Sequence, residues 1–310
     1  MTFAFEVIMK IYAPKYYENF KCIAEKCNHS CCIGWGIDLD KVTLEKYTSL
    51  LNCYGEMIRN TISFDNTPCF KLDEHKCCPH LNCKGLCNII INCGEEYISD
   101  ICREHPRFYN YTNKGKELGI GLSCEAACSI ILSSDNFDQI VEIGNDTDEI
   151  LECSFNALEY RDIIFRMLKN DSMLICEKVD MIYDYFDVFL YKFYFPEVTS
   201  KLEYLYEENR LLISKAEVLE WNDDISEELT RILGYFVYRH SSDACDFYDF
   251  FASLSFAIFC TGLISTLATK ENIENIARIV SEEIEYSQEN TDYIKSLFIT
   301  EIDGEFNENY

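Results

Sequence analysis

Between Cys22 and Cys32 the chain reads C-I-A-E-K-C-N-H-S-C-C, and this stretch constrains the fold more than any other. Cys27, Cys31 and Cys32 fall within six residues, with Cys22 upstream and His29 between them. A free cysteine in a core is only a small hydrophobe, so packing alone does not call for such density. Closely spaced thiolates hold zinc in closed tetrahedral sites or hold iron–sulfur clusters. The stretch reads as a metal site. The C-x-x-C knuckle of zinc ribbons is absent, as is the C-x-x-x-C-x-x-C triplet of radical S-adenosylmethionine enzymes. The chain has C-x-x-x-C-C (27, 31, 32) and two C-x-x-x-C pairs (83 and 87, 124 and 128). Adjacent side chains diverge, so Cys31 and Cys32 serve one metal together only with difficulty. Two metals, or one ligand beside one packing residue, are both open, and spacing alone does not separate zinc from iron.

Of 18 cysteines, fourteen precede residue 129. Either disulfides of a secreted protein or metal thiolates of a reducing compartment explain such a load. The opening M-T-F-A-F-E-V-I-M has no basic region, and Glu6 breaks its apolar run, so it does not read as a signal peptide. Residues 1–8 read as an upstream extension before Met9. The expectation is a cytoplasmic protein with reduced, metal-binding thiols.

Charge divides the chain near the same place. Residues 1–128 hold 14 basic and 16 acidic side chains (net -2), and residues 129–310 hold 13 and 38 (net -25). A total of -27 argues against a nucleic-acid partner, whose phosphates are bound through Lys and Arg. The acidic half suits a basic protein surface, or is simply a solvated face.

The expected fold class is mainly α (α+β), with a cysteine-rich metal-binding region over 1–132 and an acidic α-helical bundle over 133–310. In the first region, apolar spacing predicts one helix across 38–60 with Asp40 or Thr43 as N-cap, a strand at C-F-K-L-D, and a short helix stopped by Pro106. T-N-K-G-K marks a β-hairpin, and Ser123 a helix cap. In the second, i, i+3, i+4, i+7 patterns predict helices over 155–168, 173–195, 201–213, 225–240, 247–267 and 271–286. Residues 250–269 carry no charge and are long enough to span a bilayer. Six Ser or Thr and no flanking basic cluster favour a buried helix over a transmembrane one, with peripheral membrane contact left open. No Gly-rich nucleotide loop, H-E-x-x-H or G-x-S-x-G occurs. His29, His75, His80 and His105 lie among the cysteines and read as surface or supporting residues before ligands.

Four stretches in order resemble the flagellin lysine-N-methylase family: C-I-A-E-K-C-N-H-S-C-C-I-G-W, K-C-C-P-H-L-N-C-K-G-L-C-N-I, G-E-E-Y-I-S-D-I-C-R-E-H-P-R-F-Y-N and L-S-C-E-A-A. The resemblance covers residues 9 to about 132 and extends only loosely beyond. It picks out Cys27, Cys31, Cys32, Cys78, Cys87, Cys102 and Cys124 as metal cysteines, with Trp35, Arg103, Pro106 and Arg107 also matching. His80 departs from the family's phenylalanine. The resemblance implies S-adenosylmethionine-dependent methylation of lysine on flagellin, with a four-iron four-sulfur cluster. On that basis Arg103 and Arg107 either hold the methionine carboxylate or tie down their loop. Glu25, Asp38 and Tyr17 stand as alternatives for a base. The competing expectation is a zinc- or cluster-binding interaction protein, or a redox sensor, without catalysis.

Overall fold

The computed structural model describes residues 9–147, 154–186 and 195–308, the last ten by backbone only. Cys153, the extension 1–8 and residues 187–194 of the helix expected over 173–195 lie outside the described residues. The protein is mainly helical with a small sheet. Its contacts divide it into two units that are not contiguous in sequence: residues 21–107 with 124–126, and residues 1–20, 108–123 and 127–310. A division at residue 132 is linear, whereas the chain itself passes between the units several times.

The cysteine-rich unit is built from short elements. Asp40 caps the helix Lys41–Ser49, its Oδ1 accepting from Thr43 N at 2.8 Å. The single helix expected across 38–60 is broken in two. Leu50 is extended, and Asn52 caps a new helix, Cys53–Asn60, by accepting from Gly55 N at 2.8 Å. Gly55 permits this turn, because a Cβ there would lie 2.2 Å from the Leu50 carbonyl oxygen. The strand expected at C-F-K-L-D is two residues, Cys69–Phe70, paired with Ile62–Ser63. The short helix before Pro106 is Asp100–Glu104, preceded by a separate 3-10 turn at Glu95–Tyr97. Ile37, Leu39, Tyr47, Ile58, Phe70 and Ile89 are buried together as this unit's core.

The larger unit combines a sheet with a bundle. Strands Arg107–Thr112, Gly115–Ile120, Met9–Pro14 and Ile140–Asp146 lie in that spatial order. The first two form the expected hairpin. Met9–Pro14 runs parallel to Gly115–Ile120 and antiparallel to Ile140–Asp146. These two added strands escaped sequence reading because neither shows clean alternation. Helix Phe247–Leu267 has the expected bounds, with Asp246 Oδ1 accepting from Asp249 N at 2.8 Å as its cap. It is long and apolar enough to cross a membrane by length and composition, yet 89% of its most apolar window is buried inside the protein. It packs against Ser226–Ser241 and Gln288–Glu308. Each of its large apolar side chains contributes about 1.5–3 kcal/mol by burial.

The helix expected to end near 286 is Ile273–Val280, continued by a π turn, Ser281–Glu285. The wider turn sets Glu285 in the core. There it accepts from Tyr235 OH at 2.9 Å, pairs with Arg239 Nε at 3.3 Å and lies 2.8 Å from His240 Nε2. Ser123 does not act as the expected cap, since its hydroxyl is buried with no hydrogen-bond partner among the described residues.

Candidate metal centre

The first cysteine loop is shaped by local hydrogen bonds. A 3-10 turn, Ala24–Lys26, carries the chain to Cys27, whose Sγ donates to the His29 carbonyl at 3.3 Å. Ser30 Oγ accepts from Cys32 N at 3.3 Å. The loop is then fastened to the second one: Gly34 N donates to Lys76 O at 2.9 Å, and Cys78 N to Cys32 O at 2.8 Å. In the second loop Asn82 Oδ1 accepts from Lys84 N at 2.9 Å and Leu86 N at 3.1 Å, an Asx turn that brings Leu81 opposite Cys87. Asp40 Oδ2 accepts from Asp100 N at 3.0 Å and so positions the short helix bearing Cys102.

These connections gather Cys32, Cys78, Cys87 and Cys102 on one hydrophobic core. Each of the four is coupled electrostatically to the other three. Burial pushes the Cys78 thiol up to about 12 and the Cys102 thiol to about 11, with the neighbouring thiols adding to both. Cys31 and Cys32 share a hydrogen bond that raises the Cys31 thiol and lowers the Cys32 thiol. Cys27 and Cys124 influence each other, as do Cys31 and Cys124. Cys31 acts on Cys102 as well as on Cys124, so among the seven expected cysteines Cys32, Cys78, Cys87 and Cys102 are the four that share one hydrophobic core. Cys93, which the motifs leave out, packs on the same core and is raised by burial and by Cys87.

Among the described residues, no disulfide joins the cysteines, and no group of three or more His, Cys, Asp or Glu side chains is arranged to hold a metal ion. The chemistry of the four-thiol set suits a thiolate-ligated metal, because buried thiols that raise one another lose their protons readily only to a cation. It suits iron and zinc alike.

Sequence reading missed Glu125. Its carboxylate accepts from Asn28 N at 2.8 Å and Asn28 Nδ2 at 3.1 Å, lies 3.0 Å from His29 Nδ1, and accepts from Cys27 Sγ at 3.7 Å. Burial works against ionisation, but these bonds hold the carboxyl below its ordinary range. The available signal was its place beside Cys124 in S-C-E-A-A.

Arg103 is engaged within its own loop, donating to Asp100 and, through NH2, to Ile98 O at 2.9 Å. Arg107 NH1 donates to Arg103 O at 3.3 Å. His80 is a core residue, 1% exposed, with Thr61 Oγ1 3.0 Å from its Nε2 and its ring edge-on to Phe70. Glu25 and Asp38 are exposed.

Over 131 residues, 39% of its length, the chain is 29% identical to the flagellar biosynthetic protein FliU of Salmonella muenchen, covering 75% of that protein. Over a stretch of the same length it is 28% identical to proteins named lysine-N-methylase from Salmonella choleraesuis and Salmonella typhimurium. The relationship is distant. The chain spans about a third, 32%, of each lysine-N-methylase. No protein-family model matches it, and no solved structure does.

Proposed function

We propose that the chain acts in S-adenosylmethionine-dependent methylation of lysine side chains on a protein, with flagellin as the substrate. The observation that carries this reading is the named relationship to lysine-N-methylases. The gathering of Cys32, Cys78, Cys87 and Cys102 on one core supports it. These four would hold the metal group, and an iron–sulfur cluster, when bound, supplies electron-transfer or Lewis-acid chemistry. A lysine ammonium has no lone pair, so it must shed a proton before nitrogen attacks a methyl sulfonium, and desolvation favours the neutral amine. Glu125, held ionised beside the first cysteine loop, is the group suited to draw the ammonium in. Anaerobic incubation of the full chain with S-adenosylmethionine and flagellin tests the proposal. The expected result is a mass gain of one methyl group per modified lysine, and unchanged flagellin refutes it.

One observation favours a second reading, in which the metal is a structural staple. The four thiols sit against the hydrophobic core of a unit made of short helices and two-residue strands. Small units of this kind draw stability from bound metal. Stoichiometric zinc in a colourless, inactive protein favours this reading over the first.

A further inference from the structure

The larger unit contains an open cleft of about 1060 Å³ that neither the cysteines nor the proposed chemistry uses. One wall is the helix Ala157–Leu168, continued to Lys169. Leu158, Arg161, Asp162, Phe165 and Arg166 recur on it at i, i+3, i+4, i+7 and i+8, one face of a helix that a bundle would ordinarily fill with apolar residues. The opposite wall is the sheet, with Tyr12, Lys114 and Glu117.

Charge in the cleft departs from its surroundings. Residues 129–310 carry net -25 (13 basic, 38 acidic), whereas the described lining holds four cations and four carboxylates. A wall of balanced charge attracts neither a polyanion nor a polycation. It matches a molecule that carries both signs at short range.

Two polar atoms on residues that line the cleft are buried without a hydrogen bond. Arg161 is 4% exposed and held firmly, NH1 donating to Glu117 Oε2 at 2.7 Å and Ser242 Oγ at 2.8 Å. Its Nε, equally buried, has no hydrogen-bond partner among the described residues, the Asp162 carboxylate standing off at 3.9 Å. Asp138 Oδ1 is also buried without a hydrogen bond, with Lys169 Nζ at 3.4 Å as its ion-pair neighbour. A buried guanidinium N–H calls for an acceptor and a buried carboxylate oxygen for a donor. We infer that the cleft binds the ammonium–carboxylate end of an amino-acid-type small molecule, its carboxylate received by Arg161 Nε and Arg166, its ammonium by Asp138 and Asp162.

Resting on the methyl-transfer reading, that molecule is S-adenosylmethionine. The methionine end of that donor carries an ammonium and a carboxylate at short range, and the cleft lining carries both signs.

Calorimetric titration of the anaerobically purified full chain with S-adenosylhomocysteine, L-methionine and adenosine tests this. Arg166 is exposed, so Arg166→Ala leaves folding intact, as its melting temperature checks. Arg161→Lys keeps the charge and removes the Nε donor. Expected are binding of S-adenosylhomocysteine and methionine, no binding of adenosine, and losses of roughly tenfold or more in either variant, the scale of one charge-assisted contact. Undiminished binding in both variants overturns the cleft as the site and leaves the methyl-transfer reading standing. Binding of adenosine in place of methionine, or of none of the three, also overturns it. Arg166-dependent binding of methionine without S-adenosylhomocysteine upholds the cleft and removes the methyl donor from it, a failure of the functional reading alone.

Discussion

Cys78 donates its amide proton to the carbonyl of Cys32 at 2.8 Å, and this bond joins the loop that carries Cys32 to the loop that carries Cys78 and Cys87. Gly34 N to Lys76 O repeats the connection one step away, at 2.9 Å. Backbone pairing thus brings together sulfurs that lie far apart in sequence.

The shared core of Cys32, Cys78, Cys87 and Cys102 makes the cysteines unequal. Alanine at Cys32, Cys78, Cys87 or Cys102 is expected to strip most of the metal from the protein, while Cys53→Ala, on an exposed cysteine outside the set, leaves it in place. Elemental analysis of anaerobically purified variants, with visible absorption for iron, checks this. Equal loss from Cys53→Ala would refute the grouping.

Asp40 is expected to be the most sensitive polar residue of the cysteine-rich unit. Its carboxylate accepts from Thr43 N at 2.8 Å, Thr43 Oγ1 at 2.7 Å and Asp100 N at 3.0 Å, capping one helix and anchoring the segment that bears Cys102. Asp40→Ala should cost about 1–2 kcal/mol, read by denaturant unfolding. Burial opposes ionisation, yet these bonds hold the carboxyl at about 2, below its ordinary 3.8. A depressed carboxyl contributes stability that is complete above the unfolded value and lost as pH falls through the folded one. The wild type should therefore lose this contribution between pH 3.8 and about 2, and Asp40→Ala should not.

His240 makes the larger unit sensitive over a different range. Burial outweighs the Glu285 hydrogen bond and lowers the imidazole to about 4 from 6.5. The unfolded chain therefore binds a proton that the folded one refuses, so stability is complete above pH 6.5 and falls as pH drops from 6.5 toward 4. NMR titration of the His240 ring checks the midpoint. A midpoint near 6.5 would contradict the buried neutral imidazole.

Glu125→Gln keeps an oxygen for Asn28 N–H and removes the charge. If Glu125 draws in the lysine ammonium, KM for the protein substrate rises roughly tenfold while kcat changes little, the pattern of lost binding in ground and transition state alike. A fall in kcat alone would assign Glu125 another role.

Long periodic segments were legible from local pattern. Phe247–Leu267 needed only its apolar run, because each of its turns is buried by the same kind of side chain. The hairpin followed from its turn residues. Strands Met9–Pro14 and Ile140–Asp146 were not legible, since their pairing depends on partners distant in the chain. The helix over 38–60 was misread as one because Asn52 can cap only once Leu50 has left the helix, a choice made by local hydrogen bonds rather than by apolar spacing.

By itself, the sequence determined that this protein carries a concentration of thiols suited to a metal, a separate acidic and mainly helical region, and motifs like those of lysine methylases. Those properties reside in residue type and short spacing, which the chain carries before it folds. Only the tertiary structure decided that Cys32, Cys78, Cys87 and Cys102 share a core. It also set Glu125 against the first loop and left Arg161 Nε buried and unsatisfied at a cleft. These depend on hydrogen bonds and burial between distant segments, which no spacing along the chain encodes.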